Sequence, residues 1–201
     1  MLKVGLTGGL ASGKSFVGRA LADLGCLVIR ADELGHQVLE PGGEAYDATI
    51  QEFGAGIRNG DRTIDRRRLA ALVFHDAERL KKLNALVHPP VRARERRLMD
   101  EYAAGHPHGI AVVEAAILVE TGSYRDYAKL IVAVCREEQQ IERAMARDGL
   151  TREQVLERLS RQLPLAQKIE YADYVIDTSG AKESTLAQTR AVHQALLASN
   201  P

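Results

Sequence analysis

Near the start of the chain, Gly8-Gly9-Leu10-Ala11-Ser12-Gly13-Lys14-Ser15 has the spacing G-x-x-x-x-G-K-S. Glycines let the backbone curl so that successive N–H groups converge on one anion. A following helix adds its unpaired N–H groups and its positive dipole end. In such a loop Lys14 reaches the outer phosphates of a nucleoside triphosphate and the Ser15 hydroxyl is offered to Mg²⁺. The same letters can also form a glycine-rich turn in an unrelated fold, so the flanks decide. Lys3-Val4-Gly5-Leu6-Thr7 reads as a short buried strand, and Ser15 to Leu24 as a helix with Val17, Leu21 and Leu24 on one face. Strand, glycine loop and helix together make the phosphate-binding P-loop context.

Asp32 is the next chemically informative residue. It directly follows the apolar run Leu27-Val28-Ile29, and in an open α/β sheet ligands sit beyond the carboxyl ends of strands. A carboxylate there can orient or deprotonate an attacking hydroxyl. It can equally cap the following helix, and the two roles are compatible. Glu114 and Glu120 bracket the end of another apolar run. The first is similar to the acid that holds a Mg²⁺-bound water in many P-loop enzymes, while Glu120 suits a cap or a solvated position. Six arginines, 136, 143, 147, 152, 158 and 161, crowd one helical interval. Arg143 and Arg147 share a helix face, the interval reads as a lid over the phosphates, and at most two or three of the six are expected to reach a ligand. Glu138, Glu142, Glu153 and Glu157 offer the competing reading of a solvated face of ion pairs.

These residues need a scaffold, and the pattern supplies one. Strand signals recur at Ile110–Val113, Leu130–Val134 and Tyr174–Ile176. They are apolar throughout, as parallel strands covered on both faces are. Alternation with helices predicts an α/β fold: a five-stranded parallel sheet, doubly wound. Gly25 is the expected stop of the first helix. From Leu34 to Gly105 only helical periodicities appear, punctuated by Pro41-Gly42-Gly43, by Gly54 to Gly60 and by His88-Pro89-Pro90. This interval reads either as a substrate-binding insertion or as structural padding. The expected organisation is a nucleotide-binding core over residues 1–35, 109–136 and 172–201, a helical substrate subdomain over 36–108, and a helical arginine-bearing lid over 137–171. A terminal helix is expected over Lys182–Ala198.

Bulk properties narrow the classes. The 201 residues are 45% hydrophobic, enough for a core, with no Trp. Lys plus Arg and Asp plus Glu both number 27, so no broad basic face for nucleic acid is indicated. Cys26 and Cys135 lack metal-ligand spacing and read as buried filler. The longest apolar stretch, Ile110 to Val119, is interrupted by Glu114 and falls short of the ~18 residues that span a bilayer. With a strand at the very start, no signal peptide is expected, and a soluble cytoplasmic protein without an obligate protein partner is the simplest reading. Asn59, Asn84 and Asn200 lack the Asn-Lys-x-Asp surroundings of a GTPase. Leu159-Ser160-Arg161-Gln162 lacks the glycines of a transporter ATPase signature. A small-molecule kinase is the reading left standing. The acceptor is left open among small metabolites and nucleotides, and the alternative from another class is a non-catalytic ATP-binding regulatory module.

The ordered set Leu6 to Ser15, Val28 to Asp32, Pro41-Gly42, Ile64-Asp65-Arg66, Val73-Phe74, Leu83-Asn84, His88-Pro89, Leu118-Val119-Glu120, Arg161-Gln162, Lys168, Ala172-Asp173 and Val175-Ile176-Asp177 resembles the dephospho-CoA kinase family. The resemblance runs over essentially the whole chain. It implies transfer of the ATP γ-phosphate to the ribose 3′-hydroxyl of dephospho-CoA, with Mg²⁺. It implies that Gly8, Gly9, Ala11, Ser12, Gly13, Lys14, Ser15 and Phe16 hold ATP, with Arg147 nearby and Ser15 on the metal. Asp32, Lys14 and Arg143 fall on catalytic positions. Thr7, Asp32, Arg66 and His88 fall on the acceptor side. Four positions depart from the family pattern: Arg30 stands for Asp, Ala11 for Gly, Phe16 for Thr and Thr178 for Asn.

Overall fold

The computed structural model describes residues 1–74 and 76–200. Five strands, β1 (Leu2–Gly8), β2 (Leu27–Arg30), β3 (Ile110–Glu114), β4 (Lys129–Val134) and β5 (Tyr174–Asp177), form one sheet in the order β2-β3-β1-β4-β5. All four pairings are parallel. Each strand is the expected one, extended by one or two residues. The helices are α1 (Lys14–Asp23), α2 (Ala31–Gln37), α3 (Tyr46–Phe53), α4 (Arg66–Val73), α5 (Ala77–Gly105), α6 (Glu137–Asp148), α7 (Arg152–Leu159), α8 (Leu165–Ile169) and α9 (Lys182–Ala198).

The chain divides into two compact units. The first comprises Met1–Arg30 and Met99–Pro201 and contains the sheet. Alternate strand residues face one side, as the period-two pleat requires: Val4, Leu6, Ile110, Val112, Ile131, Ala133 and Ile176. They pack with Val17 and Leu21 of α1 and Val192 and Leu196 of α9. Each fully buried aliphatic side chain here contributes about 1.5–3 kcal/mol relative to exposure. Cys26 belongs to this core, and burial pushes its thiol pKa up to about 11, so it stays an inert thiol. The expected helix stop is Gly25, whose φ of 91° is open to glycine. Its N–H donates to Ala22 O while Cys26 N–H returns to Leu21 O, closing the end of α1.

The second unit, Ala31–Leu98, is helical, with a single β-bridge between Arg58 and Ile64 among its described residues. Tyr46, Ile57, Ile64, Leu69 and Val73 form its core, with Leu39, Ile50, Phe53, Leu72 and Leu83 packed against them. Asp65 caps α4 by accepting from the backbone N–H groups of Arg67 and Arg68. One expectation needs correction. His88-Pro89-Pro90 does not punctuate: α5 runs through both prolines for 29 residues. Proline's fixed φ suits a helix, but each ring removes a donor and crowds the carbonyl four residues back. Val91, Glu95 and Met99 are buried at four-residue spacing, so packing of that stripe carries the helix past the two missing N–H groups.

Candidate active site

Strand β1 lies in the middle of the sheet and delivers the glycine loop to its carboxyl edge. Gly13 is the residue before α1 and has φ 86°, a left-handed conformation that lets the loop turn into the helix. A Cβ there would also lie 2.8 Å from Thr178, which packs over the loop. The two groups expected to meet phosphate and metal already have orienting contacts. Lys14 Nζ donates to Gly9 O at 3.1 Å, and Ser15 Oγ donates to Glu114 Oε1 at 2.7 Å. Glu114 is 7% exposed and its Oε2 is buried without a hydrogen bond. A hydroxyl beside a buried carboxylate with spare acceptor capacity is a donor set suited to a hard divalent cation and its waters. Strand register places Arg30 beside Glu114, with Arg30 Nε 3.8 Å from Oε2.

Ser12 is fully buried, and its Oγ has no hydrogen-bond partner. Ala11 has φ 52°, an uncommon conformation for a residue with a Cβ. Phe16 sits in the first turn of α1 and its N–H donates to Gly13 O at 3.0 Å. Thr7 is fully buried in β1 and its hydroxyl donates to Ala116 O at 3.2 Å.

The arginine-rich interval is a helical hairpin, α6 and α7, followed by the short α8. Thr151 opens α7 with a reciprocal capping box to Gln154. The arginines separate cleanly. Arg143 donates to Thr178 Oγ1 at 3.1 Å and to Thr178 O at 2.8 Å, and the Thr178 hydroxyl donates to Ser12 O at 2.9 Å. Arg143 is thereby one side chain removed from the loop. Arg147 is engaged by Asp148 at 2.7 Å, Arg152 by Glu138 at 2.5 Å and Arg161 by Glu157 at 3.2 Å. Arg158 also approaches Asp148, at 3.6 Å. The ion-pair reading therefore describes these four. Glu120, expected to cap or to face solvent, is half-buried, and its Oε1 accepts from Leu163 N–H at 3.1 Å just ahead of α8. It pairs at 2.7 Å with Lys168 Nζ, and Lys168 is fully buried. The same ammonium donates to Ala116 O at 2.8 Å and Gly8 O at 3.3 Å.

In the helical unit, Asp32 is exposed in the first turn of α2 rather than at a cap, where a carboxylate complements the helix dipole. His36 lies one turn on. Partial desolvation and then the nearby Arg66 guanidinium hold its pKa below the ordinary value, opposed by the Asp32 carboxylate. Asp32, His36 and Arg66 are thus electrostatic neighbours. His88, on α5, is held low by burial and then by Arg92.

The family profile described as dephospho-CoA kinase matches residues 2–183. The chain belongs to the dephospho-CoA kinase family. A dephospho-CoA kinase of Syntrophus aciditrophicus is 38% identical over 197 residues, covering 98% of this chain and 84% of that one. A crystal structure of a Thermus thermophilus protein matches with TM-score 0.82 and 32% identity over 96% of both chains. Dephospho-CoA kinase from Campylobacter jejuni matches with TM-score 0.69 and 26% identity, covering 99% of this chain and 98% of that one.

As a dephospho-CoA kinase family member, this chain contains site neighbours that reading residue types did not single out. Gln140 donates to Leu10 O and Gln162 accepts from Leu10 N–H, yet neither carries a spacing signal. Lys168 and Gln162 were legible only as parts of the family pattern. His36 had a signal, its four-residue offset from Asp32 on one helix. Among the described residues no cluster of three or more His, Cys, Asp or Glu side chains could hold a metal by itself, and no helix is long and apolar enough to cross a membrane.

Proposed function

We propose that this protein transfers the γ-phosphoryl group of ATP to the ribose 3′-hydroxyl of dephospho-CoA, releasing coenzyme A and ADP in the cytoplasm. The observation that carries the reading is the loop itself: Lys14 and Ser15 oriented by Gly9 and Glu114, with Arg143 joined to Ser12 through Thr178. Family membership supplies the acceptor. Phosphoryl transfer is mostly positioning and charge stabilisation. Gly8 to Phe16 cradle the phosphates, Lys14 neutralises charge on the β–γ bridge, and Arg143 leaves Thr178 to meet the transferring group. Ser15 would hold Mg²⁺, with Glu114 on its waters, and the ion would supply charge neutralisation at the phosphates. Asp32 takes the 3′-hydroxyl proton as that oxygen attacks the γ-phosphorus and the bond to the β–γ bridging oxygen breaks. Arg66 and His88 serve the acceptor, with Arg147 secondary at the nucleotide. Residues 36–108 present the acceptor, and 137–171 act as lid over the nucleotide bound by the core. In a coupled assay, purified protein should release ADP only when dephospho-CoA, ATP and Mg²⁺ are all present. ADP release indifferent to dephospho-CoA would defeat the reading.

A further inference from the structure

The glycine loop is held from outside by the helical hairpin that follows β4. Both backbone polar groups of Leu10 are taken by amide side chains from that segment. Leu10 N–H donates to Gln162 Oε1 at 2.9 Å, and Leu10 O accepts from Gln140 Nε2 at 2.8 Å. Gln140, on α6, is 4% exposed; Gln162 lies between α7 and α8. The amide of Gln140 lies so close over the loop that a Cβ at Gly9 would stand 2.2 Å from its Nε2. An independent observation points the same way. Ile141, Ala144 and Val155 are the apolar centre of the hairpin, and the side chains packed against them include Leu10 and Ala11 as well as Leu150 and Leu159. The hairpin's own core therefore incorporates the tip of the phosphate loop.

We propose that Gln140 and Gln162 are positioning residues of the nucleotide site, joining the glycine loop and the α6–α7 hairpin into one mechanical unit so that ATP affinity is set partly from the hairpin. The physical argument is preorganisation. A loop that presents N–H groups to phosphate binds more tightly if its curl is fixed beforehand. Glycines alone leave the curl entropically free. Two amides and a shared apolar cluster remove that freedom without occupying the side of the loop that must face the ligand. The same linkage is reciprocal: phosphate that orders the loop orders the hairpin. It also accounts for Ala11, whose methyl group packs in the hairpin cluster and offsets the cost of its left-handed backbone.

This inference rests on the ATP-binding reading, and the experiment separates the two. Full-length wild type, Gln140→Leu, Gln162→Leu and the double variant are compared by calorimetry with ATP, by steady-state kinetics and by hydrogen exchange. Gln162→Glu serves as the conservative variant, because its oxygen still accepts from Leu10 N–H. The expected result is an ATP Kd and KM raised about tenfold in the double variant, the scale of one or two lost neutral hydrogen bonds. The KM for dephospho-CoA should stay unchanged, and Gln162→Glu should bind ATP more tightly than Gln162→Leu. In wild type, ATP should slow exchange in residues 8–16 and 137–160 together; in the double variant the apolar cluster remains and the slowing in 137–160 should fall by more than half. Unchanged ATP affinity, or hairpin protection undiminished in the double variant, overturns the proposal. Should the double variant fail to fold, Gln162→Leu alone gives the same readouts. If wild type binds no ATP, the nucleotide reading fails. The mechanical unit is then judged without ligand: faster exchange of residues 8–16 in the variants supports it, and unchanged exchange overturns it.

Discussion

Lys14 and Ser15 illustrate how far a single residue can be understood before its surroundings are known. Their types and spacing were readable because the chemistry is local: one ammonium and one hydroxyl at fixed offsets from glycines that turn the chain. Their partners were less accessible. Ser15 meets Glu114 across 99 positions of sequence, at 2.7 Å, and only strand pairing brings them together. Arg30 is a departure from the family pattern that acquires a physical setting here, beside the buried Glu114 carboxylate. Phe16 acquires none beyond its backbone. Asp32 stands exposed in the first turn of the helix that follows β2, and the sharpest residue-scale expectation concerns it. Asp32→Asn keeps the shape and removes the proton acceptor, so kcat should fall by about 10²–10⁴-fold, the usual range for general-base catalysis, while ATP affinity stays near wild type. Turnover close to wild type in a steady-state assay would remove Asp32 from the chemistry.

Elements were legible where periodicity was strong and failed where tertiary packing overrides a local rule. The five strands stood out as continuous apolar runs, and Gly25 marked the end of α1 correctly. Helix α5 did not stop at its prolines, because a buried stripe outweighs two lost donors. The hairpin arginines looked alike in sequence; only the fold sorts Arg143 onto Thr178 and Arg147, Arg152, Arg158 and Arg161 onto carboxylates. Lys168 was the hardest element-level contact to foresee, since a lysine on a five-residue helix gives no hint of complete burial. It ties α8 to Glu120 and to the strand that feeds the glycine loop. Lys168→Met should strand Glu120 inside the protein and cost about 3–5 kcal/mol in denaturant unfolding. Adding Glu120→Gln should recover a substantial part of that loss; no recovery would mean the pair is not the source of the defect.

At the scale of the molecule, the division at Arg30 falls where sheet gives way to an all-helical segment, a contrast visible as the absence of strand signals after Leu34, whereas the division at Leu98 falls within α5. Its pH behaviour has a calculable sign. His36 and His88 both have pKa values held below the ordinary 6.5, so the unfolded chain binds their protons more readily than the folded one. Stability should therefore be complete above about pH 6.5 and decline as pH falls through the window beneath it, before the carboxylates begin to titrate near pH 4. Urea midpoints should be lower at pH 5.5 than at 7.5, and the difference should shrink in a His36→Gln, His88→Gln variant; an unaltered difference would assign the slope elsewhere. The Ala11 methyl has a consequence on a longer timescale. A larger side chain at Ala144, which is wholly buried in the cluster that Ala11 packs against, should be tolerated better beside glycine at position 11 than beside alanine, so substitutions at the two positions should be coupled as sequences diverge.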